Sequence, residues 1–429
     1  MKEIADKMCG EIPGLLCGGQ VISLLFYADD ILIISLDEEG AMKAITKLSE
    51  LCKSVGLEIS KEKSKIVSAT LKLEGEENQD SLKTVLFQKY LGVLLQIGIQ
   101  TAFLESKVQT AEKYAISCIS LASSSPDPVL FARNIWVFVA LPAILYGTEC
   151  VPLTKVEIDK IEKIQHRVAR YILQIGTNSA TPITYLLGGM RPFFCVYWER
   201  VLKYYATMSN YDDTRLAKKA LEESKKMGSN SSYMKLVGEI WSTIGWDGDK
   251  ESVRQYVDKY TIEYINEERL RCYPTCKLLR KSEIGNVTQY SRMTEMCESR
   301  KEYHSFLLFD AGLGNRTPID GMESIKECIL CINDGQIKKL CEDHMMFECT
   351  AMENIRDKIG INDLLRVKGW ENMSHEVKYK NYWCDHMDSK ELERRTVLAV
   401  KLRETYMSAA KILLKRKTVI SRLNEQFLN

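Results

Sequence analysis

Few features of the sequence point to disorder, secretion or a membrane. The chain of 429 residues has 9 prolines and 5 histidines, and no low-complexity stretch interrupts it, which argues against long disordered segments. Its longest apolar stretches, near 31–35 and 135–145, are shorter than a membrane span. The polar residues that follow Met1 do not resemble a signal peptide. We therefore expect an intracellular protein, cytoplasmic or nuclear, without a transmembrane segment.

An excess of one charge is also missing. The chain has 59 Lys and Arg against 58 Asp and Glu, so any nucleic-acid binding must come from local basic surfaces. A hydrophobic content of 45% allows two or three domains with real cores. The 14 cysteines favour a reducing compartment, in which most fill cores and a few hold metal.

The pattern of apolar residues predicts an α+β protein. Strand-like runs at 21–27 and 31–35 predict a hairpin, and a second strand pair is predicted within 84–99. An amphipathic helix is predicted over 38–55. From about residue 101 onwards the pattern becomes helical. The predicted helices cover 103–120, 128–146, 154–174 and 390–424, and the predicted loops cover 228–232 and 245–249.

Two neighbouring aspartates, Asp29 and Asp30, stand between the two apolar runs, at the predicted tip of the first hairpin. Adjacent carboxylates repel one another, which makes the pair unfavourable for stability alone. A divalent cation reverses the sign of that interaction, and magnesium is commonly held by a few carboxylates, water and substrate phosphates. The pair therefore predicts either a magnesium site or a plain acidic turn.

The residues around the pair carry a family resemblance. The segment Phe26-Tyr27-Ala28-Asp29-Asp30-Ile31-Leu32 resembles motif C of reverse transcriptases. Gly56-Leu57-Glu58-Ile59-Ser60-Lys61-Glu62-Lys63-Ser64-Lys65 resembles motif D, and Lys89-Tyr90-Leu91-Gly92-Val93 resembles motif E. Family members more often have Asn where Ser60 stands. Because the three motifs follow in the family's order, the sequence resembles the C-terminal part of a non-LTR (LINE-type) retrotransposon reverse transcriptase.

This resemblance implies an RNA-directed DNA polymerase, a nucleotidyltransferase in which two metal ions stabilise the attacking and leaving oxygens. It implies that Asp29, supported by Asp30, binds Mg²⁺ and that Lys63 acts near the triphosphate. It also implies that Tyr90-Leu91-Gly92 shapes the primer grip. The implied partners are an RNA template, a DNA primer and deoxynucleoside triphosphates.

The helix predicted over 154–174 has a basic face. Periodicity places an apolar face on one side of the helix and a basic stripe on another. The apolar face consists of Ile161, Ile164, Val168 and Tyr171, and the basic stripe of Lys160, Lys163, Arg167 and Arg170. Together with Leu145-Tyr146-Gly147, this helix resembles the thumb region of LINE-type elements, where the basic face suits the phosphates of a template–primer duplex. On periodicity alone, the stripe is either such a surface or a solvated charged face.

A possible zinc site lies further along the chain. Cys328 and Cys331 form a Cys-x-x-Cys pair, and His344 and Cys349 follow at spacings that suit tetrahedral zinc. The alternative is a set of free cysteines, and Cys341 is an alternative ligand to His344 or Cys349. LINE-type proteins carry a similar cluster near their C-terminus. Such a module either stabilises a small fold or binds RNA.

Two parts of a reverse transcriptase have no counterpart in the sequence. Neither the aspartate-bearing motif A nor motif B resembles any segment before Tyr27. We therefore expect a C-terminal fragment without polymerase activity of its own, or alternatively a non-enzymatic nucleic-acid-binding protein derived from such an element. The predicted parts are then, in order, a partial palm, a thumb-like region, a helical connection, a zinc-knuckle-like module and a helical tail. Their bounds are 1–100, 101–205, 206–304, 305–358 and 359–429.

Overall fold

The computed structural model describes most of the chain, in several ranges. These are 4, 7–8, 14–68, 82–98, 100–125, 128–173, 181, 185, 188–272, 328–336, 338, 344–361, 372–373, 382 and 389–414. The chain divides into two compact units. The first unit comprises Met1–Lys113, Ala140–Glu162 and Phe193–Tyr260, and the second Tyr114–Val139, Lys163–Pro192 and Thr261–Asn429. Each unit is described by itself below.

Short strands dominate the start of the first unit. Strands β1 (Leu15–Cys17) and β2 (Gln20–Ile22) form one antiparallel hairpin, and β3 (Leu24–Tyr27) and β4 (Asp30–Ile33) form the next. The hairpin predicted from the runs at 21–27 and 31–35 is confirmed as β3–β4, but the first run is divided between two hairpins. The first part of the run lies in β2 and pairs with β1, and the second part forms β3 and pairs with β4.

Four more strands complete the described sheets. Strand β5 (Lys65–Val67) pairs in parallel with β6 (Lys83–Val85), and β7 (Phe87–Tyr90) pairs with β8 (Val93–Gln96) in an antiparallel hairpin. All four described sheets have two strands. The strand pair predicted within 84–99 is therefore confirmed as β7–β8.

The β3–β4 hairpin packs against the helix that follows it. Helix α1 (Glu38–Ser54) begins after Asp37, whose carboxylate accepts a hydrogen bond of 2.7 Å from the amide of Gly40. Its inner face forms a buried cluster, and three hairpin residues pack against that cluster. The buried members are Ile4, Met8, Ala44, Leu48 and Cys52, and the hairpin residues are Leu24, Ile31 and Ile33. This packing fixes the hairpin through its base and leaves the tip free.

The helical middle of the chain follows the predicted pattern closely. Helix α2 covers Thr101–Ala122, α3 covers Pro128–Ile135, and α4 covers Leu141–Leu145. A π-helical turn, Trp136–Ala140, joins α3 and α4. The helix predicted over 128–146 is therefore helical throughout Pro128–Leu145, but its middle is π-helical rather than α-helical. Helix α5 (Lys155–Leu173) then corresponds to the helix predicted over 154–174.

Four further helices lie in 193–272. They are α6 (Phe193–Ser209), α7 (Leu216–Met227), α8 (Ser232–Ile244) and α9 (Val253–Cys272). The predicted loops at 228–232 and 245–249 separate α7 from α8 and α8 from α9. Ser231 caps α8 by accepting a hydrogen bond of 3.3 Å from the amide of Met234.

In the described residues after 327, the second unit contains short helical elements and one long helix. These elements are α10 (Ile329–Asn333), a π-helical turn (His344–Glu348), a 3₁₀ turn (Thr350–Met352), α11 (Glu353–Ile359) and α12 (Ser389–Leu414). Helix α12 confirms most of the helix predicted over 390–424, whose remainder lies outside the described residues. Its inner face buries Leu402 and Tyr406 against the short elements.

The mixed, mostly helical fold is thus confirmed, whereas the five-part division stays a prediction. Among the helices that the structure describes, none combines the length and the apolar sequence that crossing a membrane requires.

Candidate metal centre and aspartate hairpin

Three cysteines and a histidine meet in the second unit. Cys328 and Cys331 lie at the start of α10, while His344 opens the π-helical turn and Cys349 directly follows it. All four side chains are buried, and their ligand atoms lie within 4.8 Å of one another. The structure therefore brings together the four residues that the spacing predicted. Cys341, the alternative ligand, lies outside the described residues.

Backbone hydrogen bonds shape this cluster. The amide of Ile332 donates to the carbonyl of Cys328 at 3.0 Å, and the amide of Gln336 donates to that of Cys331 at 2.8 Å. The amide of Cys349 donates to the carbonyl of His344 at 2.7 Å. Each ligand pair is thus held by its own tight turn, which points both side chains of the pair in one direction.

The separations fit a tetrahedral ion. Cys349 Sγ lies 3.8 Å from both Cys328 Sγ and Cys331 Sγ. Cys331 Sγ lies 3.3 Å from His344 Nε2. With zinc–sulfur bonds of about 2.3 Å, the sulfur atoms of a tetrahedral site are about 3.8 Å apart. Three thiols and one imidazole are also the donor types that zinc prefers, so the residues present fit a structural zinc ion.

Neighbouring polar groups orient the ligands. Glu348 Oε2 lies 3.0 Å from His344 Nδ1, so that the other ring nitrogen, Nε2, faces the sulfur atoms. The Tyr406 hydroxyl donates to Cys328 Sγ at 3.4 Å. Arg356 donates to the carbonyl of Cys349 at 2.8 Å. Such outer contacts fix ligand orientation in protein zinc sites.

The three buried thiols differ in acidity when no cation separates them. A hydrogen bond with Cys349 lowers the pKa of Cys328, and the same contact raises the pKa of Cys349. Burial raises the pKa of Cys331 to about 11. Three thiolates at these distances repel one another, and a divalent cation would turn that repulsion into attraction.

The aspartate pair lies at the tip of the β3–β4 hairpin in the first unit. Tyr27 pairs with Asp30, so Ala28 and Asp29 form a two-residue turn. Ala28 has a φ of 53°, a conformation that is unfavourable for a residue with a side chain. Both carboxylates are exposed. Backbone strain of this kind is often found at functional sites.

The aspartate pair does not form a complete cation site within the described residues. In that part of the chain, the only group of three or more acidic, cysteine or histidine side chains close enough to share an ion is the cysteine–histidine cluster. Two carboxylates are ligands of the type that magnesium uses, but they leave its octahedral shell dependent on other donors. No catalytic step can be derived from the pair alone.

The β7–β8 hairpin contains a tyrosine, Tyr90, that senses the charge of Asp30. The pKa of Tyr90 is raised, first by burial and second by the negative charge of Asp30. Leu91 and Gly92 form the two-residue turn of this hairpin, with φ values of 46° and 82°. The structure thus brings Tyr90 within electrostatic reach of Asp30.

Lys63 lies in an exposed turn just before β5, and its action near a triphosphate stays a prediction.

Helix α5 presents basic side chains to solvent and an apolar face to the protein. Lys163 and Arg167 are exposed and Arg170 is half-buried, whereas Ile161, Ile164 and Val168 are buried. The placement of Tyr171 on the apolar face is wrong, because this side chain is 56% exposed. The buried positions also include Gln165, which accepts a hydrogen bond of 2.7 Å from Trp136 Nε1. Tyr171 stands at the edge of the apolar stripe, where periodicity alone cannot settle burial.

Several residues that contact the sites carry little or no signal in the sequence. Tyr406 and Arg356 support the metal ligands from positions with no recognisable motif, and only the tertiary packing reveals them. Glu348 has a local signal, since it stands four residues after His344 in a helical turn. Tyr146 contacts the β7–β8 turn, although its sequence context indicates only a likeness to the thumb region.

Comparison with known proteins finds one similarity, at the start of the chain. Residues 2–95 match a family model described as reverse transcriptase (RNA-dependent DNA polymerase). The match includes the aspartate hairpin and most of the β7–β8 hairpin, and it supports a reverse transcriptase. A comparison with curated proteins gives no match.

Proposed function

We propose that the chain is the C-terminal part of a non-LTR retrotransposon reverse transcriptase, with a partial palm and a thumb-like helix. The observation that carries this proposal is the exposed pair Asp29 and Asp30 at a strained hairpin tip, inside the segment that matches the family. An acidic turn built only for solubility would need neither that strain nor those neighbours.

Each predicted residue has a role in this proposal. Asp29 and Asp30 hold magnesium, which when bound stabilises the attacking and leaving oxygens of nucleotidyl transfer. The exposed Lys63 acts near the triphosphate, and the turn Leu91–Gly92, with Tyr90, contacts the primer end. Lys163, Arg167 and Arg170 on α5 bind phosphates of the template–primer duplex.

We also propose a structural zinc ion in the second unit, bound by Cys328, Cys331, His344 and Cys349. The burial of all four side chains supports a closed site, because a catalytic zinc keeps an open position for water or substrate. Zinc would then join the two short turns that contain its ligands, which separately pack on α12 through buried residues such as Ile329 and Met345.

The 429 residues by themselves should bind template–primer without extending it. Polymerase chemistry depends on positioning, and the described residues supply no third ligand beside Asp29 and Asp30. No segment of the sequence resembles motif A or motif B. Incubation of the purified chain with magnesium, deoxynucleotides and a primed RNA template should give no extension. Template-dependent synthesis would contradict this part of the proposal.

Nucleic-acid binding is the positive test. We expect the chain to bind a labelled RNA–DNA duplex, and the double substitution Lys163→Glu and Arg167→Glu to weaken binding at least about tenfold. The slope of affinity against salt should fall by about one for each phosphate that the variant no longer neutralises. Lys43→Glu is the control, because this exposed lysine lies on α1, where it pairs with Glu39. Equal weakening in both variants, or no binding by the wild type, would contradict the proposal.

A second candidate is a non-enzymatic nucleic-acid-binding protein derived from such an element. The exposed basic residues of α5 favour it, because they can hold phosphates whether or not a polymerase site is complete. The two candidates differ when a segment that carries motifs A and B is supplied in trans. Restored extension that depends on Asp29 supports the polymerase, whereas binding without extension supports the second candidate.

A further inference from the structure

Two motifs that are far apart in the sequence meet in the first unit. The hydroxyl of Tyr146 donates a hydrogen bond of 2.7 Å to the carbonyl oxygen of Leu91, across a separation of 55 residues. Leu91 opens the two-residue turn of the β7–β8 hairpin, and Tyr146 directly follows α4. A single side chain therefore connects the end of this helix to the tip of the hairpin.

The contact involves a strained turn. Leu91 has a φ of 46°, a region in which residues other than glycine are rarely found. A two-residue turn with positive φ at both positions matches the twist of a hairpin, but it normally uses Asn-Gly or Gly-Gly rather than leucine. The surroundings must therefore stabilise this conformation, and the Tyr146 hydroxyl binds the carbonyl of the strained residue itself.

Two glycines allow the close approach. A Cβ atom at Gly92 would lie 3.0 Å from Cε1 of Tyr146, and one at Gly147 would lie 2.9 Å from Cγ2 of Val93. Gly92 thus makes room for Tyr146, which precedes Gly147, and Gly147 makes room for Val93, which follows Gly92. The segments Leu91-Gly92-Val93 and Tyr146-Gly147 fit together as one interlocked pair.

Lys107 holds Tyr146 from the other side. Its Nζ donates to the carbonyl oxygen of Tyr146 and lies 4.7 Å from the centre of the Phe103 ring. Lys107 is only 5% exposed, and this burial lowers its pKa. A buried ammonium group costs free energy unless it has partners, so its placement against the Tyr146 backbone restricts where that backbone can move.

We propose that Tyr146 is a positioning residue that holds the Leu91–Gly92 turn in register for binding a recessed primer 3′ end. This inference rests on the proposed function, in which the β7–β8 hairpin contacts the primer. Tyr90 directly precedes the turn and senses the charge of Asp30. A displacement of the turn would therefore also change the position of Tyr90 relative to Asp30. Tyr146 itself contacts no reacting atom in this proposal.

The test compares two duplexes that differ only at their ends. The full chain is mixed with a fluorescent RNA–DNA duplex that has a recessed DNA 3′ end, or with a blunt duplex of the same paired length. We expect the wild type to prefer the recessed end. Tyr146→Phe keeps the ring and removes the hydrogen bond, which should weaken binding to the recessed end about fivefold and leave the blunt duplex within about twofold.

The matched control is Tyr114→Phe, which removes the hydroxyl of a half-buried tyrosine on α2 and leaves the Tyr146–Leu91 hydrogen bond in place. A second variant, Gly92→Ala, keeps the hydroxyl but pushes against the ring, and it should lower affinity for the recessed end in the same way. Hydrogen exchange of Phe87–Gln96 should accelerate in Tyr146→Phe and in Gly92→Ala, with no matching change in α6 or α8.

The outcomes separate the inference from the proposed function. If the wild type binds neither duplex, or binds both equally, the proposed function fails, and with it this inference. If the wild type prefers the recessed end and Tyr146→Phe retains that preference in full, the inference alone is overturned. Equal weakening for both duplexes also overturns it, because that result indicates general destabilisation rather than positioning.

Discussion

In the first unit, Asp29 and Asp30 lie exposed at a two-residue turn, whereas in the second unit Cys328, Cys331, His344 and Cys349 lie buried around one point. Both sets contain side chains that bind cations, but only the second has four donors at tetrahedral separations. A closed set suits an ion that stabilises a fold. An open pair leaves room for water and phosphates, which a nucleotidyl-transfer site requires.

The difference also shows in how each set is supported. Turns within 328–349 position the cysteine–histidine cluster, and Tyr406 from α12 reaches its first ligand. The aspartate hairpin is anchored at its base by Leu24, Ile31 and Ile33, while its tip depends on a turn with a strained Ala28. The candidate structural centre is therefore surrounded by protein, whereas among the described residues the candidate catalytic centre is supported through the base of its hairpin.

The largest effect is expected from removing one ligand of the closed cluster. Cys349→Ala should reduce bound zinc from about one ion per chain to almost none, because three donors cannot complete a tetrahedral shell, and should destabilise the second unit by several kcal/mol. Elemental analysis and thermal unfolding measure the two effects. Cys341→Ala and Cys17→Ala should retain zinc. If Cys341→Ala loses zinc and Cys349→Ala keeps it, the ligand set is wrong.

Acid should destabilise the second unit in two ways, by release of zinc from His344 and by protonation of a second buried histidine, His166. Burial, with a smaller contribution from the charge of Arg170, lowers the pKa of His166 to about 3, and its Nε2 lies 3.0 Å from the Tyr185 hydroxyl. A lowered pKa means that the stability is present above about pH 6.5 and is lost as the pH falls towards 3. The free energy of unfolding should therefore fall by about 1.4 kcal/mol per pH unit within this window.

Denaturant unfolding between pH 7 and pH 5 measures this decrease in the wild type and in His166→Gln. The variant should lack the part of the slope that His166 contributes and keep the part that comes from zinc release. An unchanged slope would show that His166 is not neutral in the folded protein or does not control acid stability.

A smaller effect is expected outside the ligand set. Tyr406→Phe removes the hydroxyl that donates to Cys328 Sγ and should lower zinc affinity about tenfold, because outer contacts orient and tune metal ligands. Competition with a chelator measures the affinity. Tyr382→Phe is the matched control, since that buried hydroxyl donates to the carbonyl of Arg395 rather than to a ligand. An equal decrease of zinc affinity in both variants would contradict a specific role for Tyr406.

The smallest effect concerns strain at the aspartate tip. Ala28→Gly should raise the free energy of unfolding of the first unit by about 0.5–1 kcal/mol, because glycine adopts the positive φ of this turn without strain. Ala41→Gly, in helix α1, should instead destabilise by about 1 kcal/mol. Denaturant unfolding compares the two variants. Destabilisation of similar size at both positions would show that the turn at Ala28 is not strained.

Helix bounds are the most predictable part of the fold. The helix predicted over 38–55 is observed as Glu38–Ser54, because Asp37 provides a local cap and the apolar spacing is strict. The hairpin predicted from the runs at 21–27 and 31–35 is confirmed, but its first run is divided between β2 and β3, because the residues of a strand do not specify its pairing partner. Gly18-Gly19 is an available signal for a first hairpin, because this pair suits a two-residue turn.

The candidate site is predictable where its chemistry is local. The spacing of Cys328, Cys331, His344 and Cys349 indicates the cluster, because each pair lies within one turn of chain. The tertiary structure is needed to show that the two pairs face each other and that Tyr406 joins them. It is also needed to identify Tyr146 as a contact of Leu91, since that contact spans 55 residues.

Local sequence is therefore sufficient to predict the types of functional groups and their turns: an aspartate pair between two strands, a basic helix face and two pairs of candidate metal ligands. Those features depend on neighbouring residues and on the periods of helix and strand. The exposure of the aspartate tip and the burial of the cysteine–histidine cluster follow from the tertiary fold. Exposure and completeness of a site depend on packing between segments far apart in the chain, which no local pattern specifies.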